Sequence, residues 1–371
     1  MNMRRDVNSG RAAKSELDRL VREETILAVA MQERFDIDII TNGEFSRDNY
    51  VSFVADRLDN IAMMSMSEML PYIEDKKAFE QILDTLDVPS AAIKNAICTG
   101  KIEHTRNIVA DEMAELREMT SRPIKATLPG PYLMTRSMWL PALSGQYYDS
   151  KEALGEDVIA VLKKEIDELE KSGTDVVQFD EPVLTEVVFT QGKTRSFMCA
   201  ALSEKKDPTE ELEFATHLIG EVMSYARNSS LTATLHVCRG NWSKDESILL
   251  FGSYTPLLKL FEDVKPEVLT LEYSTPRAGD LSSLLDSDII KKQSKLGLGV
   301  LNPRIDVIES ADSICERAEE SLKWLSPDDL WLNPDCGFAT FANRPVNTFN
   351  MIEKKLETLN KAKTMLRAKY E

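Results

Sequence analysis

The stretch LTATLHVCRG, residues 231–240, runs apolar from Leu231 to Cys238 and then breaks into a charged turn at Arg239 and Gly240. Near-continuous apolar character over such a length suits a strand of a parallel sheet, covered on both faces. Six other runs share the pattern: Ile37 to Thr41, Ile124 to Leu128, Val176 to Phe179, Val268 to Leu271, Leu296 to Leu301 and Leu330 to Leu332. Stretches with helical spacing lie between or beside them, at residues 11–36, Asp157–Lys171, Glu210–Arg227, Ala311–Trp324 and Phe349–Tyr370. Strands alternating with helices predict βα units, and seven detectable strands fit a (β/α)8 TIM barrel better than an open sheet.

The first strand of that barrel is missing or replaced. Only about ten residues precede the first helical stretch, and Asn8, Ser9 and Gly10 are turn formers. The chain, residues 1–371, therefore reads as a single barrel domain with a helical excursion at about 46–122. Two helices are expected there, Ser65 to Leu86, broken by Pro71, and Ile108 to Met119. Excursions of this kind form lids or walls over a barrel mouth.

The bulk chemistry excludes several classes. Lys and Arg number 45 against 62 Asp and Glu, and the formal charge of -17 repels nucleic acid and anionic membranes alike. No segment approaches 18 uncharged apolar residues, so no membrane span is expected. Five cysteines, an odd number with no CxxC pair, do not form a disulfide framework; a reducing cytoplasm fits them. The oligomeric state stays open.

Function in a βα barrel sits at the carboxyl ends of the strands. The polar residues that end the runs are therefore the candidates, and His236, Cys238, Glu272 and Cys336 stand out among them as a metal-binding set. Residues two apart on a strand face the same side, so the His236 imidazole and the Cys238 thiolate can grip one ion, and such donors select zinc. A carboxylate, an imidazole and two thiolates over-neutralise a divalent cation, which suits ionising a substrate thiol better than hydrolysis. Other readings compete for some of these residues. Glu272 could instead pair with Arg277, and Asp180 and Glu181 could be an acidic pair at a helix N-terminus. Arg47 or Arg239 could hold an anionic tail, while Cys98, Cys199 and Cys315 read as structural.

The motifs TNGEFSRDNYV (41–51), LPGP (128–131), QFDEPVLTE (178–186), HVCRGN (236–241), LTLEYS (269–274) and LWLNPDCGFAT (330–340) occur in this order. With them the chain, from about residue 15 onward, resembles the catalytic barrel of cobalamin-independent methionine synthases and their short relatives. The resemblance implies zinc on His236, Cys238, Glu272 and Cys336, the set already drawn from the strand ends. It implies that Glu44 and Asp180 hold the amino group of homocysteine, with Asp180 acting in catalysis. Expected partners are a small-molecule thiol and a methyl or alkyl donor.

Three features depart from the family pattern. Its first strand, with a Gly-Ser-Phe-Pro motif, has no counterpart here. LNPRID (301–306) follows LGLGV (296–300) where the synthase carries a histidine, and the folate-stacking tryptophan region is altered at LPGPYLMTRSMW (128–139). HVCRGN and PRAGDL (276–281) lean toward the short relatives, among them the epoxyalkane:coenzyme M transferases. Thiol alkylation of that kind, a metal-free barrel like uroporphyrinogen decarboxylase, and a non-catalytic barrel descendant are the alternatives.

Overall fold

Two short strands come first in the chain, β1 (Ile61–Ser65) and β2 (Lys94–Cys98), paired antiparallel. Six more follow: β3 (Lys125–Pro129), β4 (Val176–Asp180), β5 (Thr232–Val237), β6 (Val268–Leu271), β7 (Lys295–Leu301) and β8 (Leu330–Pro334). They form one parallel sheet in sequential order, β3-β4-β5-β6-β7-β8. The computed structural model describes residues 2–73, 94–189, 207–241, 243–339 and 346–370. Six of the seven apolar runs are thus the six strands, and nearly every residue of β4, β5 and β6 is buried, as a sheet covered on both faces requires.

The first run supplies a seventh stave. Ile40 forms a single parallel bridge with Ile124; its N–H donates to the Pro123 carbonyl at 2.8 Å, and its own carbonyl accepts from the Lys125 N–H at 2.9 Å. Among the described residues no strand lies between β8 and Ile40. Residues Asn2–Asn8 are helical instead, and Arg4 donates to the Phe45 carbonyl. The two ends of the chain meet across this seam: Lys363 and Arg367 of the C-terminal helix, Phe349–Tyr370, pair with Asp36 at 2.9 Å and Asp38 at 3.1 Å.

The excursion is only partly helical. β1 and β2 lie within it, and the described part of the expected Ser65–Leu86 helix consists of a short helix, Met66–Met69, and a 3₁₀ turn at Leu70–Tyr72, where Pro71 stands. Ser65 stops the strand and starts the helix, because it completes a capping box with Glu68. The rest of that stretch, like Cys199, lies outside the described residues. The second expected helix is present at Ala110–Met119. None of the helices described is long and apolar enough to cross a membrane.

One contact ties β3 to β4 at the working end of the sheet. The fully buried Glu181 carboxylate accepts the Tyr132 and Leu133 N–H groups at 2.8 and 2.9 Å, capping the helix Pro131–Met138. Glu181 is thus an acid at a helix N-terminus, but of a helix from another segment, and burial raises its pKa well above the usual carboxylate range. A Cβ on Gly130 would lie 2.1 Å from Glu181 Oε1. Gly130→Ala is therefore expected to cost about 1–3 kcal/mol, by overpacking and by pushing the cap aside. Urea denaturation measures it, and an unchanged midpoint would refute the role given to this cap.

Candidate metal centre

Alternation along β5 points Thr234 and His236 to one side, and Cys238 follows just beyond the strand's last residue. β8 ends at Pro334, so Asp335 and Cys336 turn over the same mouth. The ligand atoms of His236, Cys238 and Cys336 all lie within 4.8 Å of one another. Two sulfurs sharing a tetrahedral zinc stand about 3.8 Å apart, given Zn–S bonds of about 2.3 Å. The trio therefore fits a soft divalent ion without rearrangement of the backbone.

Electrostatics at the trio favour a cation. Burial lowers the pKa of the His236 imidazole, but a 2.9 Å hydrogen bond to Asp180 and that residue's charge outweigh it, raising the value to about 9. The Cys238 thiolate and the Asp335 carbonyl add to the effect. The hydrogen bond between Cys238 and Cys336 holds Cys238 below the ordinary thiol value and, with burial, Cys336 well above it. A carboxylate on Nδ1 is also the usual way to orient a ligating imidazole.

Glu272 stands apart from the trio. Its Oε2 accepts the Arg239 N–H at 2.7 Å, and its Oε1 faces Arg277 in close contact and Arg304 at 3.5 Å. All three partners lie in or beside the loops around the mouth, so the ion pair read from the sequence exists and is larger than expected. Arg239 is fully buried and donates to the carbonyls of Gly252, Ala278 and Glu272, stacked 3.9 Å over the Tyr254 ring. It braces the loops around the mouth. Arg47 lines the cavity, its terminal nitrogens held by Thr127 at 3.0 Å, Glu44 at 3.3 Å and Glu112 at 3.5 Å.

Asp335 places the Cys336 turn. Its carboxylate accepts the N–H groups of Tyr273 and Ser274 at 3.1 and 2.9 Å, binds the Ser274 hydroxyl, and lies 3.7 Å from Arg304. Burial, and then the charge of Glu272, lift its pKa to about 6. A Cβ on Gly299 would come within 2.3 Å of this carboxylate, so β7 needs glycine where it passes beneath.

A second group of side chains faces the same space from β3, β4 and the first run. Asp180 Oδ1, besides touching His236, accepts from Gln178 Nε2 at 2.8 Å, and Gln178 Oε1 accepts from Lys125 Nζ at 2.9 Å. Glu44 accepts from the Thr127 hydroxyl and has φ of 57°, a left-handed conformation that costs a non-glycine residue about 1 kcal/mol or more. Strain of that kind, at a carboxylate 37 % exposed to a cavity, marks a held side chain. The cavity, about 1790 Å³, is lined by Glu44, Lys125, Asp180, His236, Cys238 and Cys336. It continues along the seam between the helices Lys14–Arg34 and Phe349–Tyr370.

The structure thus brings Glu44, Asp180 and the trio to one cavity; Asp335 and Arg304, both among the strand-end candidates, stand around it, whereas Lys125 and Gln178 were passed over in the sequence. Lys125 and Gln178 carried a signal, being polar residues within apolar runs and two positions from Thr127 and Asp180 on the same face.

A family model described as "Cobalamin-independent synthase, Catalytic domain" matches residues 1–354. The 5-methyltetrahydropteroyltriglutamate–homocysteine methyltransferase of Bacillus licheniformis is 24% identical over 346 residues, 93% of this chain and 39% of that protein. The chain thus spans well under half of that relative's length. The methionine synthase of Thermococcus kodakarensis is 25% identical over 339 residues, 90% of this chain and 81% of its own. Among solved structures, a B12-independent methionine synthase from Shewanella sp. W3-18-1 in complex with selenomethionine superimposes with a TM-score of 0.70 at 19% identity, covering 97% of this chain and 91% of the other. A putative vitamin-B12 independent methionine synthase from Listeria monocytogenes gives 0.67 at 20% identity, covering 100% and 93%. The likeness assigns the parallel sheet to the barrel fold of these structures.

Proposed function

The chain belongs to the family of the cobalamin-independent synthase catalytic domain, and from that premise we propose that it is a zinc-dependent methyltransferase acting on the sulfur of homocysteine. The observation that carries this reading is the convergence of the His236, Cys238 and Cys336 ligand atoms within 4.8 Å, in one cavity with Glu44 and Asp180. In this reading the chain is a single catalytic barrel domain.

His236, Cys238 and Cys336 would hold the zinc, with Glu272 as fourth ligand. Zinc bound there supplies a Lewis acid that keeps a substrate thiol, of ordinary pKa about 8.5, ionised at neutral pH. Glu272, already claimed by Arg277 and Arg304, would be the most weakly held donor of the set. Asp180 holds the His236 Nδ1–H, so Nε2, which meets the Asp335 carbonyl at 3.1 Å, is the ring atom that would turn to the metal. Glu44 and Asp180, both reached from the cavity, receive the ammonium of the amino acid. The methyl carbon of the donor then bonds to the ionised sulfur, and the donor leaves with the electron pair of the broken bond. Two uncrosslinked thiols in the ligand set suit a reducing compartment, and we place the protein in the cytoplasm.

X-ray absorption at the zinc edge tests the reading. Titrating zinc-loaded protein with homocysteine should add one sulfur to the metal's shell, and product analysis with a methyl donor should find methionine. Coenzyme M, which lacks an amino group for Glu44 and Asp180, should not add sulfur at matched concentration. A sulfur gained from coenzyme M and not from homocysteine would overturn the assignment.

A further inference from the structure

Lys125 is a cation without a counter-ion in contact. Its Nζ has three N–H donors, of which one is used, on Gln178 Oε1 at 2.9 Å. Among the described residues no carboxylate lies within 4.0 Å of it. Burial lowers its pKa, with Asp180 and Glu44 acting on it only from a distance. Lys125 is half-buried, and an ammonium with unused donors facing a cavity can take an anionic ligand there by charge-assisted hydrogen bonds. Lys125 lines the cavity beside Glu44, Asp180 and the three candidate metal ligands, so the missing partner can arrive with the substrate.

Gln178 fixes the geometry. Its amide accepts from Lys125 on one side and donates to Asp180 at 2.8 Å on the other, so a positive and a negative group stand one side-chain amide apart on a single wall. An α-amino acid carries the complementary pair, an ammonium and a carboxylate on one carbon. With the ammonium on Asp180 and Glu44, the carboxylate falls on the Lys125 side. We propose that Lys125 binds the carboxylate of the thiol substrate and makes the site selective for amino-acid thiols over thiols lacking the carboxylate. The inference rests on the thiol-methylation reading and adds to it the group that reads the acid end.

Three thiols with one spacing test it: homocysteine, 3-aminopropane-1-thiol, which lacks the carboxylate, and 4-mercaptobutanoate, which lacks the amine. Calorimetry on zinc-loaded wild-type protein should show homocysteine binding about 10- to 100-fold more tightly than 3-aminopropane-1-thiol, the range of a charge-assisted hydrogen bond. In Lys125→Met the homocysteine affinity should fall to the level of 3-aminopropane-1-thiol, whose own affinity should not change. That unchanged value also shows that the variant is folded and metal-loaded. Homocysteine binding equally well to the variant, or both thiols weakening alike, would overturn the inference while leaving the parent reading intact. If none of the three thiols binds the wild-type protein, the parent reading fails and takes this one with it.

Discussion

Cys336→Ser is expected to strip the protein of stoichiometric zinc and to abolish methyl transfer with it. Among the described residues one group of three side chains brings its metal-ligating atoms within 4.8 Å of one another, and two of those atoms are sulfurs. A serine hydroxyl does not ionise near neutral pH as a thiol does, so the substitution removes a donor outright. Losing a group that merely supports a ligand costs about 10- to 100-fold in metal affinity, so losing a ligand should cost at least about 100-fold. Metal analysis after dialysis against a competing chelator reads this directly. Cys98→Ser and Cys315→Ser are the controls, since those thiols sit elsewhere, on the carbonyls of Gly100 at 3.0 Å and Ala362 at 3.6 Å. Full zinc occupancy in Cys336→Ser would remove the basis of the proposed chemistry.

The same residues show what a sequence can and cannot disclose. Strands buried on both faces leave uninterrupted apolar runs, so β6 was legible to the residue, Val268 to Leu271, and the other five runs of the sheet to within a few positions. β1 and β2 left no such mark. IAMMS (61–65) is half-buried and rich in residues that suit helices, and it becomes a strand because Lys94–Cys98 pairs with it. The helix Pro131–Met138 was missed for the opposite reason: all eight of its residues are buried, so it has no polar face to set a period. At the site, the strand-end rule selected His236, Cys238 and Cys336 without knowing their distances. It also selected Glu272, and Arg277 five residues on was a legible rival for it. Arg304, the other cation on that carboxylate, comes from the end of a different strand, and nothing in local spacing joins them. The His236–Asp180 contact is of the same kind, made by adjacent strands whose register sets the two residues side by side.

Asp180→Asn should separate the two duties assigned to that carboxylate. In the wild type Oδ1 takes both the Gln178 and the His236 contacts, and Oδ2 has no protein partner among the described residues. Asparagine can keep both contacts through its single oxygen, which leaves an NH2 group in place of the second oxygen. Facing the cavity, that group repels an ammonium where the carboxylate attracted it. Homocysteine affinity is expected to fall about 100-fold, as when one partner of a sequestered charge pair is removed. Glu44→Gln should produce a similar fall. The second duty has its own signature. With Asp180 charged, the metal-free imidazole stays protonated up to about 9, so metal binding below that pH displaces a proton and tightens as pH rises. Without the charge the imidazole is already neutral above its ordinary value of about 6.5, and that dependence disappears from neutral pH to about 9. The slope of log Kd for zinc against pH should therefore lessen by about one in Asp180→Asn and stay unchanged in Glu44→Gln, which does not touch the histidine. A variant that loses homocysteine affinity but keeps the wild-type slope would leave Asp180 as a substrate contact alone, with His236 oriented by something else.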